Sequence, residues 1–373
     1  MVLSLVALAA CIPPLAEPGK TGGIKSAGTF TEDGWRYDFY RNEAYPCAIS
    51  GFQTFVIATP VGVPRTEVRP MWVYMHGGGV GYFDSDGDPQ PSIQHKTEES
   101  AAELRLRLQQ GDLIPKVRAD RAGFRLMAVS MCDHDFYGGP DIDDPNNRGT
   151  TPDGEPITVN GLYATKAAIA FARGLHRTND YFLHGTSAGS VGSYHMAWGL
   201  QQQGLAPTGT VSDSGLLNWP WIDAKAGAPC VPTADAQTEI LKRLHPDIVD
   251  RANSPDRLVA DGRLTVPILQ VWTRGDPLFC GLTKMNCPVP GGSVPMIESV
   301  DCLNEPLERA IAAQGPASRS LSMRLCVNNP RVAGACDMHV PTARTGSRNS
   351  QDPWPPDFTM SIMDWVRLRL ADD

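Results

Sequence analysis

Short apolar runs alternate with amphipathic stretches along most of the chain. WRYDFY (35–40) and FQTFVIATP (52–60) read as two antiparallel strands separated by a turn around Pro46. MWVYM (71–75) is continuously apolar, the pattern of a strand buried on both faces of a parallel sheet, and it ends at His76-Gly77-Gly78-Gly79. A helix rich in Glu, Leu, Arg and Gln is expected around 95–110, followed by the run FRLMAVSM (124–131). A polar segment rich in Asp, Asn and Pro then leads to the helix NGLYATKAAIAFARGL. TGTVSDSG (208–215), RLTVPILQVW (263–272) and SLSMRLCV (320–327) supply later strands, and FTMSIMDWVRLRL closes the chain as a helix. Repeated β-α-β units with buried strands predict the α/β class, a mostly parallel central sheet with helices on both faces. Helical stretches such as TADAQTEILKRL, within about 216–261, sit where a helical cap would be inserted over a pocket. No internal repeat or linker divides the chain, so 29–373 is read as one domain with insertions.

The most informative stretch is Asp180 to Gly192, DYFLHGTSAGSVG. A short β-rich run leads directly into Gly185-Thr186-Ser187-Ala188-Gly189, and a helical stretch follows without a break. Strand, sharp turn and helix in that order make a nucleophile elbow, whose central serine is forced into a strained conformation at a helix N-terminus. Ser187 is therefore the candidate nucleophile, and the Ala188 N–H faces a developing oxyanion. The competing reading is a Gly-Ser turn that fits the pattern by chance. The glycine run at 77–79 follows a strand and can turn backbone N–H groups toward the same oxyanion. Gly78 and Gly79 join Ala188 as its candidate donors.

Serine needs a base to accept its proton, and the base needs an acid to orient it. Of eight histidines, only His245 and His339 lie well beyond Ser187. His245 falls within the expected cap helix and is read as a surface residue. His339 follows the last strand and precedes the closing helix, where a catalytic histidine belongs. Asp276, in Thr273-Arg274-Gly275-Asp276 just past a strand end, is the candidate acid; Asp213, one strand earlier, and Asp301, among loop cysteines, are its rivals.

Composition narrows the class. The 373 residues carry a net charge of -8 and are 42% hydrophobic and 20% charged, ordinary for a soluble globular enzyme and without a Lys/Arg cluster for nucleic acid. The 32 prolines and 36 glycines are spread along the chain and imply long ordered loops. The N-terminal run MVLSLVALAAC resembles a bacterial lipobox ending at Cys11, although no basic residue precedes it. Residues 1–28 are therefore read as an export signal and tether, with Cys11 as a lipid anchor; a buried first strand is the alternative. Removing Cys11 from nine cysteines leaves eight, which suits disulfides of an oxidising compartment in one of 105 connectivities. No C-x-x-C pair supports zinc. Asp84-Ser85-Asp86-Gly87-Asp88 has alternating carboxylates but no glutamate at the bidentate calcium position, and is read as a solvated turn. Trp219 and Trp221 flank Pro220 and could wall an acyl or sugar pocket or pack internally.

Taken together, these motifs resemble the α/β-hydrolase superfamily over nearly the whole chain and, within it, the pectin acetylesterase and Notum group. Gly77 to Gly79, Met131-Cys132-Asp133-His134-Asp135 with Tyr137 and Gly138, Gly185 to Gly189, Asp213-Ser214-Gly215 and the Cys336-x-x-His339 spacing carry the closer match. His76 stands where that group has an acidic residue, and Val80-Gly81 replaces its aromatic and cysteine. The resemblance implies a secreted carboxylesterase that hydrolyses short acyl esters, such as acetyl groups on polysaccharide, without a cofactor; a serine mechanism, a monomer and no metal are expected alongside it. The alternatives are a lipase or polyester depolymerase, or an inactive hydrolase fold that binds glycans or a protein.

Overall fold

The computed structural model describes residues 12–78, 82–83, 89–90, 99–145, 154–225, 240–289, 292–325, 338–343 and 358–371. The apolar runs assemble into one sheet: β1 (Ile24–Glu32), β2 (Trp35–Cys47), β3 (Gly51–Pro60), β4 (Met71–Met75), β5 (Arg125–Val129), β6 (Tyr181–Thr186), β7 (Gly209–Asp213), β8 (Ile268–Thr273) and β9 (Leu321–Leu325). Their spatial order is β1-β2-β3-β5-β4-β6-β7-β8-β9. The first three pair antiparallel, as do β3 and β5, and every later pair is parallel. That order, with helices on both faces, is the α/β-hydrolase fold.

Alternation along β4 shows how one apolar run serves two cores. Met71, Val73 and Met75 face the cluster that includes α3 (Gly161–Leu175) and α4 (Ala188–Gln202). Trp72 and Tyr74 face the opposite cluster, with Leu104 of α1 (Ala101–Arg107), Ile114 and Val117 of α2 (Ile114–Arg118), and Phe358, Ile362 and Val366 of the closing helix Phe358–Leu370. A strand residue buried this way contributes about 1.5–3 kcal/mol, so a register slip that turned either set toward the wrong core would be strongly disfavoured. α1 begins at a capping box, Ser100 and Glu103 each satisfying the other's backbone N–H.

Register brings the strand ends level. Gly185 pairs with Met75, Thr186 with Asp213, Asp213 with Val271, and Thr273 with Leu325. From β4 the chain moves to β5 on one side and then to β6 on the other. The crevice beyond the carboxyl ends of β4 and β6 is therefore the topological switch point, where open α/β sheets bind ligands.

Two expectations change. The segment expected as a tether packs against the body: Leu15 is buried, and the Lys166 ammonium donates to the carbonyls of Leu15 (2.5 Å) and Glu17 (2.6 Å). Burial lowers the Lys166 pKa to about 8. β1 then starts at Ile24, before the expected boundary at 29; its residues are almost all exposed, so it carried no apolar signal. His245 is buried and not on the surface. Its Nε2 donates to the Pro13 carbonyl (2.8 Å) and its Nδ1 accepts the Asp247 N–H (3.1 Å). Within the region expected as a cap, the described residues form α5 (Trp219–Lys225) and the short helices Pro246–Val249 and Pro255–Ala260.

Disulfides join Cys47 to Cys132 and Cys287 to Cys302, and Cys280 is disulfide-bonded as well. No helix among the described residues is long and apolar enough to cross a membrane. Cys11 lies outside the described residues, as do Gly79, Asp84 to Asp88 and Cys336.

Candidate active site

Ser187 stands between the end of β6 and the start of α4, with φ 52° and ψ −118°. For a non-glycine residue this costs on the order of 1–3 kcal/mol and persists only where neighbours dictate it. They do so here. The Ser187 N–H donates to the Asp213 carbonyl (2.8 Å) and its carbonyl accepts the Val191 N–H (3.1 Å). A Cβ at Gly189 would lie 1.9 Å from the Met75 carbonyl oxygen, so the helix can approach β4 only with glycine there. Ser187 is itself partly exposed between buried neighbours.

The loop after β4 runs directly alongside. A Cβ at Gly77 would fall 2.5 Å from the Ser187 Cβ. The Gly77 N–H donates to Thr186 Oγ1 (3.1 Å), which leaves Gly78, at φ 148°, as the loop's candidate donor among the described residues. Ala188 is the first residue of α4, so its N–H has no intrahelical carbonyl to bond. The loop is fixed from behind. His76 Nδ1 lies 2.6 Å from the Gly77 carbonyl, His76 Nε2 lies 2.5 Å from Glu99 Oε2, and the Tyr137 hydroxyl donates to the His76 carbonyl (3.2 Å). Glu99 had no signal in the sequence; its link to His76 spans 23 residues.

Asp276 and His339 meet. His339 Nδ1 donates to Asp276 Oδ2 at 2.7 Å, and the Leu278 N–H donates to Asp276 Oδ1 at 3.0 Å. Both side chains are buried, in a site where a hydrogen-bonded pair is electrostatically stronger than in water. The Phe279 ring sits edge-on to His339 with centroids 5.5 Å apart, and Trp221 sits edge-on to Phe279 at 5.5 Å. Trp221 donates to Ser299 Oγ (2.9 Å), so it packs behind Phe279; Trp219 instead lies under the Arg251 guanidinium.

The rivals have other partners. Asp213 bonds to Thr342 and Ser214, and Asp301 faces Arg274 (4.0 Å) and Arg324 (3.9 Å). Burial raises both carboxyls to about 6. Ser187 and the histidine loop are nonetheless attached to one turn: the Asp213 carbonyl holds the Ser187 N–H, and Ser214 Oγ accepts the Val340 N–H (3.1 Å). Among the described residues the one group with metal-ligand spacing is Cys47, Cys132 and Asp133, whose two sulfurs are already joined.

No family model and no curated protein matches the sequence. Solved structures similar to this chain include a fungal esterase from Rhizomucor miehei, at 12% identity and TM-score 0.49, covering 95% of this chain and 87% of that one. They also include an acetyl xylan esterase from Paenibacillus sp. R4, at 11% identity and TM-score 0.46, covering 95% and 90%. A third is acetyl xylan esterase 1 from a Thermoanaerobacterium species, at 13% identity and TM-score 0.44, covering 94% and 88%. Likenesses this distant assign no activity. What the strand order and the crevice between β4 and β6 establish is that this chain has the α/β-hydrolase fold.

Proposed function

We propose that the protein is an exported serine carboxylesterase acting on short acyl esters. The observation that carries this reading is the 2.7 Å bond from His339 Nδ1 to Asp276 Oδ2, on a loop attached to the same turn that holds the strained Ser187. Ser187 Oγ attacks the ester carbonyl carbon while His339 Nε2 takes its proton. Asp276 fixes the imidazole's orientation and stabilises its charged form. The carbonyl oxygen becomes negative opposite the Ala188 and Gly78 N–H groups, each such donor being worth about 10²–10³ in rate. Collapse expels the alcohol, which leaves with the proton held by His339. Water, deprotonated by His339, then attacks the acyl-enzyme and releases the acid.

The likeness of residues 131–138, 185–189 and 213–215 to pectin acetylesterases, and the Phe279 ring close against His339, support an acetyl-sized acyl group. Acetylated polysaccharide is the proposed natural substrate. Buried disulfides support an oxidising compartment, and the N-terminal run supports anchoring through Cys11. Hydrolysis of p-nitrophenyl acetate tests the core of the reading. Ser187→Ala should lower kcat at least about 10⁴-fold with an unchanged Tm; a variant that keeps most of its activity would refute it.

A further inference from the structure

The proposed triad gives no role to the buried acid Asp213. Asp213 ends β7, and its three acceptor atoms serve two different parts of the site. Its carbonyl accepts the Ser187 N–H (2.8 Å). Oδ2 accepts both the Thr342 N–H (2.8 Å) and the Thr342 hydroxyl (2.5 Å). Oδ1 accepts the Ser214 hydroxyl (2.8 Å), whose oxygen in turn accepts the Val340 N–H (3.1 Å). Residues 340 and 342, just beyond His339, are thus both tied to this carboxylate, one directly and one through Ser214.

The direction of these bonds is set further out. Trp72 Nε1–H donates to His184 Nδ1 (3.3 Å), so the His184 proton sits on Nε2 and is donated to Thr342 Oγ1 (3.0 Å). Thr342 must then aim its own hydroxyl hydrogen at Asp213. Burial holds His184 neutral, with a pKa lowered to about 3, so the chain of donors does not reverse near neutral pH. All of these side chains are buried. The contacts span 126 and 129 residues of sequence, and they join β4, β6, β7 and the loop at 338–343.

We infer that Asp213 is a positioning residue: it clamps the histidine loop to the nucleophile turn, so that His339 and Ser187 are held by one side chain and its own main chain. Asp276 then orients the imidazole, while Asp213 fixes where the imidazole is. This inference rests on the triad reading, and it assigns the rival acid a task distinct from Asp276's.

The test uses the full chain with p-nitrophenyl acetate, active-site titration by a fluorophosphonate, and Tm. Thr342→Val should lower kcat about 10- to 100-fold with KM within about twofold, and Thr342→Ser, which keeps the hydroxyl, should restore most of it. Asp213→Ala should lower kcat at least as far, and the Asp213→Ala/Thr342→Val pair should be no worse than Asp213→Ala alone, since both cut the same tie. An unaltered kcat per titrated site in Thr342→Val would overturn the inference, and if Asp213→Ala then matched Asp276→Ala, Asp213 would be the acid itself. If Asp213→Ala does not fold, the Thr342 pair decides alone. A wild-type protein inert to the fluorophosphonate, or an active Ser187→Ala, would instead remove the triad reading beneath it.

Discussion

Two pairs of buried acids lie at or just past the ends of parallel strands in this molecule, and they differ in what their oxygens hold. Asp133 and Asp135, beyond β5, bond to main-chain N–H groups: Asp133 to Ala48 and Asn160, and Asp135 to Gly139. The Cys47–Cys132 disulfide lies beside them, and α3 starts just after Asn160. Asp213 and Asp276 bond instead to groups on the loop that carries His339. Burial is similar and raises Asp133, Asp135 and Asp213 alike. Depth and charge therefore do not distinguish scaffold from site. The partner does: Asp133 and Asp135 hold main chain of the scaffold, Asp213 holds the loop that carries His339, and Asp276, which holds the imidazole Nδ1 itself, prepares that ring to move a proton.

The sharpest way to break this comparison is to make the same substitution on both sides. Asp276→Asn should lower kcat for p-nitrophenyl acetate about 10³- to 10⁴-fold with little change in Tm, because the amide no longer dictates the imidazole's tautomer. Asp133→Asn should leave kcat per titrated site within about threefold. It places an NH₂ against the Ala48 or Asn160 N–H and should lower stability by about 2–4 kcal/mol in urea unfolding. If both variants lost activity equally, the division would fail.

Next in size is the disulfide on the scaffold side. Closing an 85-residue separation should be worth about 4–5 kcal/mol in the chain-entropy model. Cys47→Ala/Cys132→Ala should lower the urea midpoint accordingly, while the folded fraction keeps its kcat.

Histidines allow the smallest and most specific test. His195 lies on α4, two turns beyond Ser187, buried and with neither ring nitrogen bonded among the described residues. Burial lowers its pKa to about 3. A base whose native pKa is depressed stabilises the fold above its unfolded value near 6.5, and that contribution is lost as pH falls toward the native value. Between pH 7 and pH 5 the loss from this residue should be about 2 kcal/mol. His195→Leu should shrink the difference in unfolding free energy between those two pH values by that amount, without altering the acid limb of kcat.

What could be read from the sequence was what is local. The elbow at 185–189, the glycine loop at 77–79 and the apolar strands each announce themselves within a few residues, because a turn or a buried strand restricts composition on the spot. β1 was hidden because an exposed edge strand needs no apolar pattern. The burial of His245 depends on Pro13, the His76 clamp depends on Glu99, and the role of Asp213 depends on Thr342. Each of those contacts joins residues whose types are common and whose separation nothing local constrains.

The most direct test of the central claim is the site and rate of fluorophosphonate labelling, read by peptide mass mapping on wild type, Ser187→Ala and His339→Ala. The structure predicts one labelled peptide, carrying Ser187, absent in Ser187→Ala and formed at least about 100-fold more slowly in His339→Ala. A label on another residue, or a His339→Ala variant that reacts at the wild-type rate, would contradict it.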